Sequence, residues 1–476
     1  REGHAFSPPS CQTHLPTSNV VVDMHCHILN VRDVDRNQFA ARRVFDIDER
    51  RNLLRWLIAK AAHVPYGLAG TRTISVTDEN QLLFDHIKVW RQYPERFCSR
   101  AFTPTKLLST DKSNYETSDG YRHPTAGFWN TRISNAVRMM QEYPEVDLFT
   151  PSMVDFNEGD PDLYSNIDTN SIVYERVAQA TYGRIVPIVC FNPHREVEWR
   201  QNKRRGGKPK GHGPLDLVKV AVEKRGFIGV KLHPSVGFSP EDNTSFGCPN
   251  THTQNKWQIQ YHRQHLGHAL DTALMDLYEY CMASEVPILT HGSTGISAYA
   301  ACMHPAVKAT SDWTNSTAQW GRLINRLSAS HPGLKPLKVC IGHFAGAFSS
   351  ETPWLDWLDT LTAQMRDYDE LYVDLSIQSG LVDAKGKLNE SNAELLRNYL
   401  AKEPILEQRM LYGSDWHMLS VTQSGPAYYS GLRELMPANI RSSVMGSNAL
   451  KFLGLRKNDV ARQRLNDYYA WLKKVD

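Results

Sequence analysis

The chain has 476 residues with 54 basic and 51 acidic side chains, a formal net charge of +3. That length allows one large decorated domain or two, and near-neutrality argues against nucleic acid or an anionic membrane as the main partner. Eight scattered cysteines without a CxxC pair read as reduced thiols, no apolar run reaches the ~18 residues of a membrane span, and the amino end lacks a signal-type apolar core, so the expected address is cytoplasmic.

The first element is "VVVDMHCHILN", residues 20–30. In a strand, residues two apart share a face, so His25 and His27 converge on one point while Met24 and Cys26 turn away. Residues 30–145 follow as a helical insertion, with "RNLLRWLIAKAAHV" and "NQLLFDHIKVWRQY" as amphipathic helices. It reads as a cap rather than an independent domain; the alternative is a subunit contact, which leaves a homo-oligomer open. Seven more β-rich segments come next: "VDLFTPSMVDF", "RIVPIVCFNPH", "FIGVKLHPSVGF", "VPILTHGSTG", "KVCIGHFAG", "LYVDLSIQSG" and "RMLYGSDWHML". Helix-like stretches at 215–224, 268–283, 320–330, 354–366 and 391–401 lie between them, and a long polar loop, 235–267, follows the fourth strand.

Eight nearly continuous apolar strands alternating with helices predict an α/β fold, a (β/α)8 TIM barrel, because barrel strands are covered on both faces. An open doubly wound sheet is the rival, but no Gly-rich dinucleotide loop follows the first strand. The whole chain, 1–476, reads as one barrel domain carrying the 30–145 cap. Polar residues recur at the carboxyl ends of the strands: His25, His27, Asp155, Asn192, Lys231, His233, His291, His343, Asp374 and Asp415. In a barrel those ends share the catalytic face.

The HxH of strand one, His291 in "LTHG", His343 in "IGHFAG" and Asp415 in "YGSDWH" resemble the amidohydrolase superfamily, and more narrowly its amidohydrolase-related branch of metal-dependent hydrolases and aminocarboxymuconate-semialdehyde-type decarboxylases. The likeness runs from about residue 20 to "GSNALKFLGL" at 446–455, outside the insertion and the 235–267 loop. It implies a divalent ion, zinc above all, held by His25, His27, His291 and Asp415 with a position left open. Asp415 then acts as general base toward metal-acidified water, and His343 orients the water or steadies an oxyanion. One ion is expected. Two follow if Lys231 is carbamylated, as in two-metal relatives.

Lys231 and His233 share a face of strand four and are candidate substrate contacts, as are Arg195 in "NPHR", suited to clamping a carboxylate, and His417, two residues past Asp415. The expected activity is hydrolysis of an amide, lactone or ester bond in a small cyclic or carboxylate-bearing substrate. Non-oxidative decarboxylation is the enzymatic alternative, and a non-catalytic metal-binding barrel for a partner protein is the rival of another class. The run "KRRGGKPKG", 203–211, reads as a solvated loop, and "WLDWL", 354–358, as core packing.

Overall fold

The computed structural model describes residues 20–29, 33, 76–92, 131–155, 164–181, 183–208, 211–236, 238–245, 263–292, 317–349, 352–353, 355–383, 385–416, 418–419 and 424–475. Eight strands follow one another: β1 Val22–Cys26, β2 Leu148–Pro151, β3 Ile188–Cys190, β4 Gly229–Leu232, β5 Ile288–Thr290, β6 Val339–Ile341, β7 Leu371–Asp374 and β8 Met410–Leu411. All pair in parallel with their sequence neighbours, β1 with β2 and β3 through β8 in order.

Two further sets of contacts close the ring. Parallel bridges Phe149–Ile185 and Ser152–Ile188 join β2 to β3, and Cys26–Trp416 joins β1 to the segment after β8. Met24 N–H donates to Tyr412 O (3.0 Å) and His27 N–H to Trp416 O (3.0 Å). Closure removes the open sheet from contention. An apolar cluster shows the same thing independently: Val22, Met24, Leu148, Ile188, Leu289, Cys340, Tyr372 and Leu411 come together with Phe452 and Leu453. Strands from right around the sheet meet there, which a closed barrel allows and a flat sheet does not.

The helical layer lies outside. Elements α1 Val76–Gln92, α2 Arg132–Glu142 and α3 Tyr164–Thr181 precede α4 Pro193–Arg204 and α5 Pro214–Lys224. Helices α6 Arg263–Ala283, α7 Thr317–Ser330, α8 Leu355–Asp367, α9 Glu390–Lys402 and α10 Pro404–Arg409 follow, with α11 Gly425–Leu435, α12 Asn448–Leu453 and α13 Val460–Val475 closing the chain. Their apolar stripes share a second core with Val230, Ile288, Val339, Leu371 and Val373, the strand residues that turn outward. Both faces of every strand are thus buried, hence the continuous apolar segments.

Helix α1 covers most of "NQLLFDHIKVWRQY"; "RNLLRWLIAKAAHV" lies outside the described residues. Arg132, at the start of α2, is buried and paired with Asp33 (2.6 Å) and Glu79 of α1 (3.0 Å), while Asn135 Nδ2 donates to Leu29 O (2.9 Å). These bonds tie the insertion's helices to the exit of β1. In the "GSNALKFLGL" segment, a Cβ on Gly446 would stand 1.6 Å from Val20 O, so only glycine lets this segment approach the start of β1.

Cys26, Cys190, Cys281 and Cys340 are free, buried thiols. Lys203, Arg204, Arg205 and Lys208 are exposed in the last turn of α4 and just beyond it. In "WLDWL", Leu358 is buried and Leu355 exposed, and the two tryptophan side chains lie outside what is described. No helix among the described residues is long and apolar enough to cross a membrane.

Candidate active site

The strand ends bring five imidazoles into a closed circuit. Ring centroids are 5.5 Å apart for His25 and His27, 6.4 Å for His27 and His233, and 5.9 Å for His233 and His291. The circuit closes through His291 and His343 (4.6 Å) and His343 and His25 (4.8 Å). Register explains the placement: Lys231 of β4 pairs with Leu289, Leu289 with Cys340 and Cys340 with Tyr372, so these face the interior together. Continuing each strand by two residues reaches His233, His291 and Asp374 on that same face.

Three of the imidazoles donate their Nδ1–H to the surrounding frame. His25 Nδ1 lies 2.9 Å from Asp374 Oδ2 and 3.0 Å from Ser376 Oγ; His27 Nδ1 lies 2.9 Å from Ser152 O; His343 Nδ1 lies 3.0 Å from Ser376 Oγ and 3.3 Å from Ser376 O. Carboxylate and carbonyl oxygens only accept, so each Nδ1 donates and each Nε2 keeps a lone pair. Those lone pairs face inward. His343 Nε2 is 3.1 Å from His291 Nδ1, and His25 Nε2 accepts from Lys231 Nζ at 2.8 Å.

Asp415 completes the inner set. Its backbone has a left-handed φ of 49° and its N–H donates to His25 O at 2.6 Å. Its Oδ1 stands 3.2 Å from His27 Nε2, buried and without a hydrogen-bond partner. Donor atoms of His25, His343 and Asp415 lie within 4.8 Å of one another, a group that could hold a metal ion. The fit is good on chemical grounds. Neutral imidazoles and a carboxylate suit a borderline divalent cation, and a cation would satisfy an Asp415 oxygen that now faces another acceptor.

Burial pushes His25 down to about 4, with the Lys231 ammonium adding to the effect, and it lowers His343 and takes His233 well below the usual imidazole range. All three imidazoles are neutral at pH 7. Burial alone would raise Asp415, but the neighbouring His27, His25 and His343 rings outweigh it and hold the carboxyl below its ordinary range. Asp374 is held down similarly, burial being outweighed by His25 first. Burial brings Lys231 down to about 8, against Asp374 and Asp415.

Of the residues expected as metal ligands, the structure gathers His25 and Asp415 with His343 in one donor cluster and places His27 against Asp415 and His291 against His343. His233 is a member of the circuit, and Lys231 reaches it at His25 Nε2. Asn192 caps α4, its Oδ1 accepting from His194 N–H (3.0 Å), and the Arg195 guanidinium is buried on Asp155 at 2.7 Å. His417 lies outside the described residues. Asp374 was read from sequence only as a polar strand-end residue, and Ser376 and Gln378 were not singled out, although "DLSIQ" carries the same two-residue alternation as "HCH".

A closed parallel barrel with imidazoles and a carboxylate converging at its carboxyl end defines a metal-binding enzyme class. The amidohydrolase family model matches residues 173–455, and the chain belongs to that family. The match spans Lys231, His291, His343 and Asp415; His25 and His27 precede it. A search of curated proteins gave no significant match. Among solved structures, 4-oxalomesaconate hydratase from Rhodopseudomonas palustris is similar at a TM-score of 0.44 and 14% identity, covering 96% of this chain and 99% of that one. 5-Carboxyvanillate decarboxylase from Sphingomonas paucimobilis gives 0.38 and 13%, covering 65% and 79%. A probable 2-pyrone-4,6-dicarboxylic acid hydrolase from Acinetobacter baumannii gives 0.36 and 11%, covering 67% and 88%.

Proposed function

We propose that the chain is a metal-dependent hydrolase cleaving an amide, lactone or ester bond of a small cyclic or carboxylate-bearing substrate. One divalent ion, zinc by preference, would be held by His25, His343 and Asp415, with His27 and His291 beside them. The observation that carries this reading is the buried, unpartnered Asp415 Oδ1 opposite the His27 Nε2 lone pair. When bound, such an ion supplies Lewis acidity toward a carbonyl and acidifies water. Asp415, ionised and aimed into the cluster, is the proton acceptor for the attacking water. His291, linked to His343 through their ring nitrogens, orients the carbonyl, and Lys231 offers the positive charge that a substrate carboxylate needs. His233 stands between His27 and His291. Arg195 is engaged by Asp155 and shapes the rim.

The same reading takes the whole chain as one barrel unit capped by 30–145, with a small molecule as its partner. Decarboxylation is the second reading, and the buried Lys231 ammonium favours it, since it would pair equally well with a carboxylate on the reacting carbon. Turnover of lactone, amide and aromatic-acid panels in oxygen-18 water, with carbon dioxide measured alongside, separates the two. Label in the product without carbon dioxide supports hydrolysis. Stoichiometric carbon dioxide without label overturns it.

A further inference from the structure

We infer that Asp374 and Ser376, at the carboxyl end of β7, are a positioning pair that fixes His25 and His343 together as Nδ1–H tautomers and so aims both Nε2 lone pairs at one cation site. The inference rests on the proposed metal reading for its purpose and on hydrogen-bond geometry for its substance. Asp374 Oδ1 accepts from Ser376 N–H (3.0 Å), His343 N–H (3.0 Å) and the Ser376 hydroxyl. Its Oδ2 accepts from His25 Nδ1 at 2.9 Å. With its proton committed to Asp374, the Ser376 hydroxyl has only lone pairs left, and these meet His25 Nδ1 and His343 Nδ1 at 3.0 Å each. One serine oxygen therefore reads both rings. Every member is buried, so water does not substitute for a lost partner.

The isosteric substitution Asp374→Asn makes the inference sharp. The position of Oδ1 receives three donors and must remain the carbonyl oxygen, which puts the amide NH2 where Oδ2 now meets His25. An N–H there needs a bare Nδ1, so the His25 proton moves to Nε2 and points into the cation site. No cavity opens, and the new Nε2–H meets Lys231 Nζ, which must turn aside or give up a proton.

The test uses the full chain, metal-free and with zinc. Nitrogen-15 histidine spectra of the metal-free protein, with His25 assigned by loss of its signal in His25→Gln, report the tautomer; chelator competition reports zinc affinity. Thr362→Ala, which removes another buried hydroxyl on α8, controls for general loosening. Asp374→Asn is expected to turn His25 from Nδ1–H to Nε2–H, and both it and Ser376→Ala to weaken zinc binding by about 10–100-fold, while Thr362→Ala changes neither. If Asp374→Asn does not fold, Ser376→Ala decides alone, through zinc affinity and the His343 signals. Unchanged tautomers with parental zinc affinity overturn the pairing. A parent chain that binds no zinc overturns the metal reading instead, and the tautomers of the metal-free protein still uphold or refute the pair.

Discussion

Asp415 combines a left-handed backbone with a carboxylate oxygen that finds no hydrogen-bond partner, two costs that a fold without function would have no reason to keep. Asp415→Asn is expected to leave far-UV circular dichroism unchanged and to lower kcat by about 10²–10⁴-fold, the usual worth of a general base; near-parental turnover would move that role to His343. Gly413 is a second sensitive point. A Cβ there would lie 2.8 Å from His25 Cβ, so Gly413→Ala must displace His25, and chelator competition should show weaker zinc binding with the melting temperature lowered only modestly. At this scale the sequence was informative where chemistry and spacing coincide: the HxH of β1, His291, His343 and Asp415 were readable as candidates, and the fold brings them together. The Arg195 pairing with Asp155 was not legible, because the Asn192 cap and the approach of the two segments are tertiary matters.

The elements show why those residues converge. After β6 the chain runs His343, Phe344 and Ala345 at φ of 57°, 49° and 51°, three successive left-handed residues that each cost about 1–2 kcal/mol. Gln378, fully buried beyond β7, holds this turn: its Nε2 donates to His343 O (2.7 Å) and Ser376 O (2.9 Å), and its Oε1 accepts from Phe348 N–H (3.1 Å). Gln378→Leu should destabilise the protein by about 1–3 kcal/mol in urea unfolding, the cost of leaving buried polar groups unmade, and should lower kcat as His343 loses its seat. A variant with parental stability and parental kcat would show that the turn holds itself. Strand periodicity contained Asp374, Ser376 and Gln378 in plain view, but the left-handed turn they support has no signature in "GHFAG" beyond its two glycines.

Across the whole molecule, the barrel was legible because apolar pressure acts on both faces of every strand, and the register that aligns His233, His291 and Asp374 follows from closure. Within 30–145 the sequence was legible only as amphipathic helix, since the pairing of Arg132 with Asp33 and Glu79 that joins the described helices α1 and α2 is announced by no periodicity. The buried imidazoles also set an acid response. Between pH 6.5 and about 4 the unfolded chain protonates a histidine that folded His25 keeps neutral, so stability falls as pH falls, by about 3 kcal/mol for the full shift. His233 and His343 act in the same direction; Asp23, raised by burial to about 7, opposes them by taking up a proton in the folded state. Thermal melts of the metal-free protein from pH 7 to 4.5 should therefore show a smaller decline for His25→Asn than for the parent.

The central claim, a cation held among His25, His343 and Asp415, is tested most directly by elemental analysis of the purified chain beside His25→Ala and Asp415→Asn. About one zinc-type ion per chain in the parent and markedly less in both variants is the predicted result. Equal metal in all three, or none in a parent whose turnover survives exhaustive chelation, would contradict the account.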